Sequence, residues 1–171
     1  LLVTILEDAL LAADSVLYNG YHVTVGNGTD PVTLTLTGSH PFASLTVQNS
    51  ATVLVDGTAE ITTSGLVVAA NGLITANGQG YKVNSGPGAG VDVSGCGSGG
   101  SHGGRGGASS KSPSPDVYGS ALEPIEMGSG GGGANGSGGA GGGGIRLDIT
   151  GTLALDGMIS ANGQAGTSWR G

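Results

Sequence analysis

Apolar and polar residues alternate with a period of two in several short segments of the chain. Residues 32–37 read VTLTLT, with an apolar side chain at every second position. Because successive side chains of a strand point to opposite faces, this alternation predicts a half-buried β-strand. Shorter segments of strand-forming residues follow, each separated from the next by residues rich in Gly, Asn, Asp or Ser: 44–47, 52–55, 60–62, 66–68 and 73–75.

Glycine preceded by Asn or Asp marks several of the breaks, as at Asp56-Gly57 and Asn71-Gly72. Such pairs tolerate the positive φ that sharp corners require. The spacing admits two all-β architectures, an antiparallel meander and a parallel β-helix. A meander favours strands of about five or six residues, longer than most of these segments. Because a turn of about 20 residues, the distance from residue 52 to residue 73, also suits a solenoid, we predict a parallel β-helix.

The first 31 residues follow this pattern less clearly than the rest. Residues 8–14 are compatible with one helical turn, whereas residues 3–5 and 21–25 look extended. We predict that residues 1–31 form an N-terminal cap or the first turn of the coil, and that residues 32–171 form the parallel β-helix.

A glycine-rich segment interrupts the β pattern at residues 86–144, which hold 24 of the 38 glycines. Composition alone would indicate a flexible linker. The segment also contains anchoring residues that could attach it to a β surface: Tyr118, Leu122, Pro124, Ile125 and Met127. We therefore expect an ordered long loop docked on the coil, with disorder as the alternative.

One internal repeat flanks the glycine-rich segment. Residues 71–79 read NGLITANGQ and residues 156–164 read DGMISANGQ, a match without gaps at an offset of 85 residues. The same corner and apolar positions predict the same local structure twice. The glycine-rich segment is then a long insertion between two turns of one coil.

Two motifs resemble those of a known group of proteins. Residues 151–163 read GTLALDGMISANG, and residues 101–107 read SHGGRGG. Both resemble segments of large, glycine-rich extracellular proteins with a right-handed parallel β-helix, including adhesin-like and structural surface proteins of microbes. The resemblance implies an all-β, right-handed parallel β-helix (a solenoid) with a long glycine-rich insertion, at an extracellular or cell-surface location. It carries over no catalytic residues.

The charge balance restricts the partners. Twelve acidic and five basic residues give a net charge of −7. Because a phosphate-binding surface needs clustered Lys and Arg, we expect no nucleic-acid partner. The small number of Lys and Arg residues also argues against binding to an anionic membrane surface. No apolar run reaches the roughly 18 residues of a membrane-spanning helix, so we expect no membrane span.

Cys96 is the single cysteine of the chain, which excludes an internal disulfide. The simplest interpretation is a small residue in a glycine-rich turn. The alternative is an intermolecular thiol that pairs with a partner chain. Catalysis by Cys96 is not expected, because no base lies near it in sequence.

His102 and Arg105 lie in the densest glycine block. They could form a small site for an anion or a sugar, with glycine N–H groups as further donors. The interpretation we favour is that both side chains hydrogen-bond backbone carbonyls and pin the loop. Glycine loops expose many carbonyls, and these need donors when they are buried.

No cofactor is predicted from the sequence. A calcium site of the glycine-rich nonapeptide kind requires a repeated GGxGxD motif, and the glycine runs at 99–103 and 141–144 lack the aspartate. Ca²⁺ bound by corner aspartates such as Asp56, Asp92 or Asp156 is the alternative.

Catalytic motifs are missing from the sequence. It has no HExxH and no GxSxG motif, and Lys111-Ser112 lacks the preceding glycine of a P-loop. Some parallel β-helix proteins cleave acidic polysaccharides, which requires charged side chains grouped on one groove wall, whereas the charges here are mostly isolated. We therefore expect no enzyme. Ice binding by the ladder Thr33, Thr35 and Thr37 is a further alternative, although threonine is common in any strand.

Two sequons for N-glycosylation are present, at Asn27-Gly28-Thr29 and Asn135-Gly136-Ser137. In a chain so rich in Asn, Gly and Ser, chance is the competing explanation. Both asparagines are predicted modification sites if the chain passes through a secretory pathway.

The sequence as a whole favours a structural role. The exposed edges of a coil invite pairing with another chain, and a contact that does not close produces an open filament. We expect a non-enzymatic building block of an extracellular filament, appendage or cell-surface coat, partnered by its own copies or by other surface proteins. The alternative is an adhesin-type or carbohydrate-binding module with glycans as partners, and the third hypothesis is a polysaccharide lyase or hydrolase.

Overall fold

The computed structural model describes residues 1–120, 122–134 and 137–167. Among these residues there is no α-helix, and the ordered elements are eleven strands. Their bounds are β1 Leu2–Ile5, β2 Ala9–Leu11, β3 His22–Val25, β4 Val32–Pro41, β5 Ser44–Val47, β6 Ala51–Val68, β7 Leu73–Thr75, β8 Asp92–Val93, β9 Cys96–Gly97, β10 Gly144–Leu155 and β11 Met158–Ser160. The prediction of an all-β chain is confirmed.

The chain divides into two compact units. Unit 1 consists of Leu1–Thr75 and Ile145–Ser160. Unit 2 consists of Ala76–Gly144 together with the described residues from Ala161 onward. The glycine-rich segment thus lies within unit 2, and the segments with alternating apolar residues form unit 1.

Unit 1 is built on a curled sheet in which neighbouring strands run parallel. In the described part of the chain this sheet has nine strands, in the order β1-β3-β5-β6-β4-β2, with β7, β10 and β11 attached to it. Paired residues are about one predicted turn apart in sequence: Leu2 lies beside His22, His22 beside Ser44, and Leu45 beside Leu66. The mostly parallel character of the predicted fold is therefore confirmed.

The core of unit 1 is formed by aliphatic side chains on one face of these strands. Val25, Leu45 and Leu66 are completely buried, as are Leu36 in β4 and Val53 in the first part of β6. The alternation read from the sequence explains this arrangement, because every second side chain of β4 points inward. Each fully buried Leu or Val contributes roughly 1.5–3 kcal/mol relative to an exposed one.

Strand β6 is longer than the sequence predicts. It runs without a break through 18 residues and pairs with β4, β5 and β7 at different points along its length. Gly57, expected in a turn between separate strands, lies inside β6 with a φ of +78°. Gly38 has the same φ at a register shift in β4, where a Cβ would lie 2.6 Å from Ala13. Glycine thus bends the strands at both positions without ending them.

The helical turn considered for residues 8–14 is wrong, because this segment contains the strand β2. Leu11 pairs with Leu36 of β4 and is buried to 2% exposure, and the carboxylate of Asp8 accepts the N–H of Thr33 at 2.8 Å. Pairing with a neighbouring strand outweighs a weak local helical pattern. The first 31 residues also supply β1 and β3 to the main sheet.

The internal repeat forms a parallel strand pair. Strands β7 and β11 align Leu73 with Met158 and Ile74 with Ile159, which is the offset of 85 residues read from the sequence. The hydroxyl oxygens of Thr75 and Ser160 are 3.1 Å apart in the same pair. The two copies therefore lie side by side in one sheet.

Unit 2 has little regular secondary structure in the described residues beyond the antiparallel pair of β8 and β9. Its glycine-rich segments are instead joined by hydrogen bonds at every third residue. The N–H groups of Tyr81 and Asn84 donate to the carbonyls of Gly128 and Gly131 at 3.0 and 3.1 Å. Gly128 and Gly131 in turn donate to two carbonyls three residues apart in the segment 139–142. A period of three is that of the polyproline II helix, which has no internal hydrogen bonds.

Glycine is required where these segments touch. A Cβ on Gly141 would overlap the carbonyl oxygen of Gly128, and a Cβ on Gly139 would overlap that of Gln164. The backbones approach so closely that no side chain fits between them. At these contacts glycine is therefore a packing requirement of unit 2.

Candidate functional site

Four strands of the curled sheet have only one neighbour each in the described part of the chain. Strand β1 pairs with β3, β2 with β4, β10 with β6, and β11 with β7. We call β1 and β2 the first edge, and β11 with residues 153–155 of β10 the second edge. Each edge strand leaves a row of N–H and C=O groups that can pair with another strand.

The first edge carries large exposed apolar side chains. Leu2 of β1 is 74% exposed and Leu10 of β2 is 65% exposed. Four further residues of the same end of the chain are also large, apolar and exposed: Leu1, Leu6, Val16 and Leu17. An apolar surface of this kind in a chain with so few charges is a candidate for protein contact.

The second edge is apolar as well. Leu153, Leu155 and Met158 are each about half exposed. The N–H of Asp156 donates to the carbonyl of Val68 at 2.9 Å, so this part of β10 lies beside the end of β6. Val68 is fully buried, whereas Leu155 in the outermost strand is 46% exposed. The aliphatic side chains are thus covered within the sheet but are exposed to solvent at its last strand.

The ring of His102 packs edge-on against Tyr118, with the ring centroids 4.9 Å apart. Its Nε2 is buried and has no hydrogen-bond partner among the described residues. Arg105 lies 4.0 Å from the carboxylate of Asp116, and both side chains are largely exposed. The structure therefore shows an aromatic contact for His102 and a loose surface ion pair for Arg105, which stabilises little in water.

Cys96 lies in β9 and is partly exposed with a free thiol. Its Sγ is 3.7 Å from the hydroxyl oxygen of Ser110, which donates to it. Its carbonyl accepts the hydroxyls of Ser109 and Ser112 at 2.9 and 2.6 Å. The backbone of Cys96 is thus held in place by serines while its sulfur stays near the surface.

The two sequons differ in what the structure describes of them. Asn27 is exposed in the loop between β3 and β4. Asn135 lies outside the described residues. Of the three aspartates predicted at corners, Asp56 lies inside β6 and Asp92 inside β8, and Asp156 alone lies between two strands. Asp92 has one buried carboxylate oxygen without a partner in the described structure. Within residues 1–120, 122–134 and 137–167, no three His, Cys, Asp or Glu side chains are grouped as metal ligands.

The sequence does not predict the hydrogen-bonded cluster around Tyr118, which it indicates only as an anchoring residue. The Tyr118 hydroxyl donates to the carbonyl of Met127, and the Ser129 hydroxyl donates to Tyr118 at 2.9 Å. Ser129 accepts the N–H of Gly88 at 3.0 Å. Burial raises the pKa of the Tyr118 phenol, against the smaller opposing effect of the Ser129 hydrogen bond. Tyr118 therefore stays neutral and joins three segments of unit 2.

His40 is a second residue that the sequence reasoning missed. It is completely buried in unit 1, with its Nε2 2.9 Å from the carbonyl oxygen of Thr37. Its ring stacks on Phe42 at a centroid distance of 6.0 Å. These contacts make it part of the core, and neither periodicity nor a motif distinguishes it in the sequence.

An open pocket of about 430 Å³ lies within unit 2. Glycine backbone forms most of its wall, together with Ser98, Ser101, His102, Ser129 and Gln164. The described lining residues include no Asp, Glu, Lys or Arg. The pocket therefore offers hydrogen-bonding groups without a fixed charge, and its volume is in the range of small-ligand sites, about 300–1,000 Å³.

Comparisons with protein-family models, with curated proteins and with solved structures found no match to this chain. In the described residues no helix has the length and apolar character needed to cross a membrane.

Proposed function

We propose that unit 1 is a right-handed parallel β-helix and that the chain is a non-enzymatic building block of an extracellular filament, appendage or cell-surface coat. The observation that carries the proposal is the pair of open, apolar edges on the same parallel sheet. The extracellular location is inferred from the resemblance to surface β-helix proteins.

The pairing register supports the β-helix. Partners about 21 residues apart, such as Leu45 with Leu66 and Thr52 with Leu73, correspond to one turn of a coil. Parallel strands that follow one another in a sheet require a crossover, and such crossovers are right-handed in nearly all proteins. The repeat pair β7 and β11 also fits a coil, with residues 76–144 of unit 2 inserted in the sequence between two turns.

The two edges support assembly by stacking. The sheet already places strands of similar sequence next to each other in register, as β7 and β11 show. We propose that the second edge of one copy receives the first edge of another copy, which pairs the free strand edges and covers Leu155 and Leu10. The two surfaces differ, so the contact is heterologous and propagates into an open filament.

A charge on the second edge tests this contact. We expect Leu155→Lys to raise the protein concentration needed for assembly by about tenfold or more, because a buried unpaired charge costs more than the roughly 1.4 kcal/mol of a tenfold change. Val117→Lys is the matched control, since Val117 is 45% exposed, as Leu155 is 46% exposed, but belongs to unit 2 and to neither edge. Sedimentation velocity over a concentration series, with negative-stain electron microscopy, measures the effect.

Filaments of the unchanged chain that are lost in Leu155→Lys and kept in Val117→Lys would support the proposal. A chain that remains monomeric at every concentration would refute stacking of copies. Equal loss in both variants, with circular dichroism unchanged, would assign the contact to a surface other than the second edge.

Carbohydrate binding is the second candidate, and the uncharged pocket of unit 2 favours it. Neutral sugars are bound by hydrogen bonds to hydroxyl, amide and backbone groups, which this wall supplies. We expect Gln164→Ala to weaken binding in a panel of neutral trisaccharides measured by calorimetry. Gln79→Ala is the matched control, because Gln79 is the counterpart of Gln164 in the repeat and does not line the pocket. No heat from any sugar would eliminate this candidate.

A further inference from the structure

We propose that Asn27 carries an N-linked glycan. The inference rests on the proposed extracellular function, because the modification requires passage through a secretory compartment with an oligosaccharyltransferase. Asn27 is the first residue of the sequon Asn27-Gly28-Thr29. The structure shows how exposed this asparagine is, which groups it contacts and where it lies relative to the two edges.

Access to Asn27 is open. The residue is exposed, and it lies in the loop that joins β3 to β4. Gly28, the middle residue of the sequon, has φ +86° and no atom within 4 Å of the position a Cβ would take. There is thus room beside the middle residue of the sequon, and the asparagine itself faces solvent.

The loop brings the sequon threonine to the asparagine side chain. The hydroxyl of Thr29 donates to Asn27 Oδ1 at 2.9 Å, and the N–H groups of Thr29 and Asp30 donate to the same oxygen, each at 2.9 Å. Asn27 Nδ2 donates to the carboxylate of Asp30 at 2.7 Å, its one hydrogen bond among the described residues. The reacting nitrogen is thus held by a single exposed partner on the same loop.

The transfer itself is a substitution at the sugar. Asn27 Nδ2 attacks the anomeric carbon of a lipid-pyrophosphate-linked oligosaccharide and forms the N–C bond. The bond from that carbon to the phosphate oxygen breaks, and the lipid pyrophosphate leaves with its electron pair. The amide nitrogen loses one proton to a base of the transferase. No oxidation or reduction takes place.

Asn27 is not itself part of either proposed stacking surface. Strand β3, which precedes it, is flanked by β1 on one side and β5 on the other. The carbonyl of Gly28 accepts the amide of Asn49 at 2.9 Å, which ties the loop to the following corner. Asn27 therefore lies outside both edges, in the loop after the strand next to β1.

The test uses the full chain, secreted from a eukaryotic host with Asn135→Gln as the background so that the second sequon does not contribute. We expect a mobility shift removed by peptide N-glycosidase F, and conversion of Asn27 to Asp by the enzyme in the mass spectrum. Asn27→Gln and Thr29→Ala should each abolish the shift. Asn71→Gln is the matched control, because Asn71 also lies at an Asn-Gly corner, which lacks the sequon, and its amide donates to Asn49 at 3.2 Å.

An unmodified Asn27 peptide in secreted, folded protein would overturn the inference. A shift that persists in Thr29→Ala would also overturn it, because the modification would then not depend on the sequon. Assembly is measured separately on Asn27→Gln, where filaments should persist. An unmodified Asn27 in a chain that keeps this residue and still forms filaments refutes only the glycan, whereas a glycosylated chain that never assembles refutes only the stacking.

Discussion

Replacing Gly141 by alanine will cost unit 2 about 3 kcal/mol or more of its free energy of unfolding. The added Cβ would overlap the carbonyl oxygen of Gly128. Both atoms belong to backbone that hydrogen bonds hold in place, since the N–H of Gly141 donates to Tyr81 at 2.9 Å and its carbonyl accepts Gly80 at 2.8 Å. The overlap can be relieved only by separating the segments. Hydrogen exchange of residues 76–144 will measure the loss as faster exchange throughout the unit.

Gly103→Ala is the matched control for this change. Gly103 belongs to the same unit, and a Cβ there would have no atom within 4 Å. We expect its exchange rates to change little, because the added Cβ meets no other atom. Alanine also restricts the unfolded chain, which does not destabilise the folded one. Equal behaviour of the two variants would mean that the contact between residues 128 and 141 is absent in solution.

Leu36→Ala will destabilise unit 1 by about 2–5 kcal/mol. The side chain of Leu36 is completely buried, and its strand pairs with β2 on one side and β6 on the other. Truncation leaves a cavity that stiff neighbouring β-strands cannot close. Denaturant unfolding followed by far-ultraviolet circular dichroism will measure the change as a lower midpoint.

Leu10→Ala is the matched control for Leu36→Ala. It removes the same side-chain atoms, but from an exposed position in β2. Leu10 is 65% exposed and pairs with Thr35, the residue next to Leu36. Below the concentration at which copies assemble, we expect a change within about 0.5 kcal/mol, as for most surface substitutions. If Leu10→Ala proved as costly as Leu36→Ala, the inward and outward faces of β2 and β4 would be assigned the wrong way round.

The sequence predicts the parts of the fold that depend on local pattern. Alternation over residues 32–37 identifies the first half of β4, and the gapless repeat identifies the β7 and β11 pair with its offset. It does not predict β2 or the continuity of β6, because these depend on strands distant in sequence. Gly57 looks like a turn locally, yet pairing on both sides of it keeps the strand going.

The candidate sites divide in the same way. Asn27 is visible as a sequon, but its exposure and the hydrogen bonds of its loop are not. The edges themselves follow from the strand order, so no local pattern marks Leu155 as more exposed than Val68. The contact of His102 with Tyr118 joins residues from two separate parts of the glycine-rich segment, where apolar periodicity gives no guidance.

The spacing of hydrogen bonds in unit 2 also governs how its length can vary. Tyr81 and Asn84 donate to Gly128 and Gly131, so each added residue between the two acceptors would rotate the next carbonyl by about a third of a turn away from its donor. Three added residues restore the phase, whereas one or two do not. We therefore expect insertions and deletions in this segment to be tolerated in multiples of three residues, because only these keep each carbonyl facing its donor.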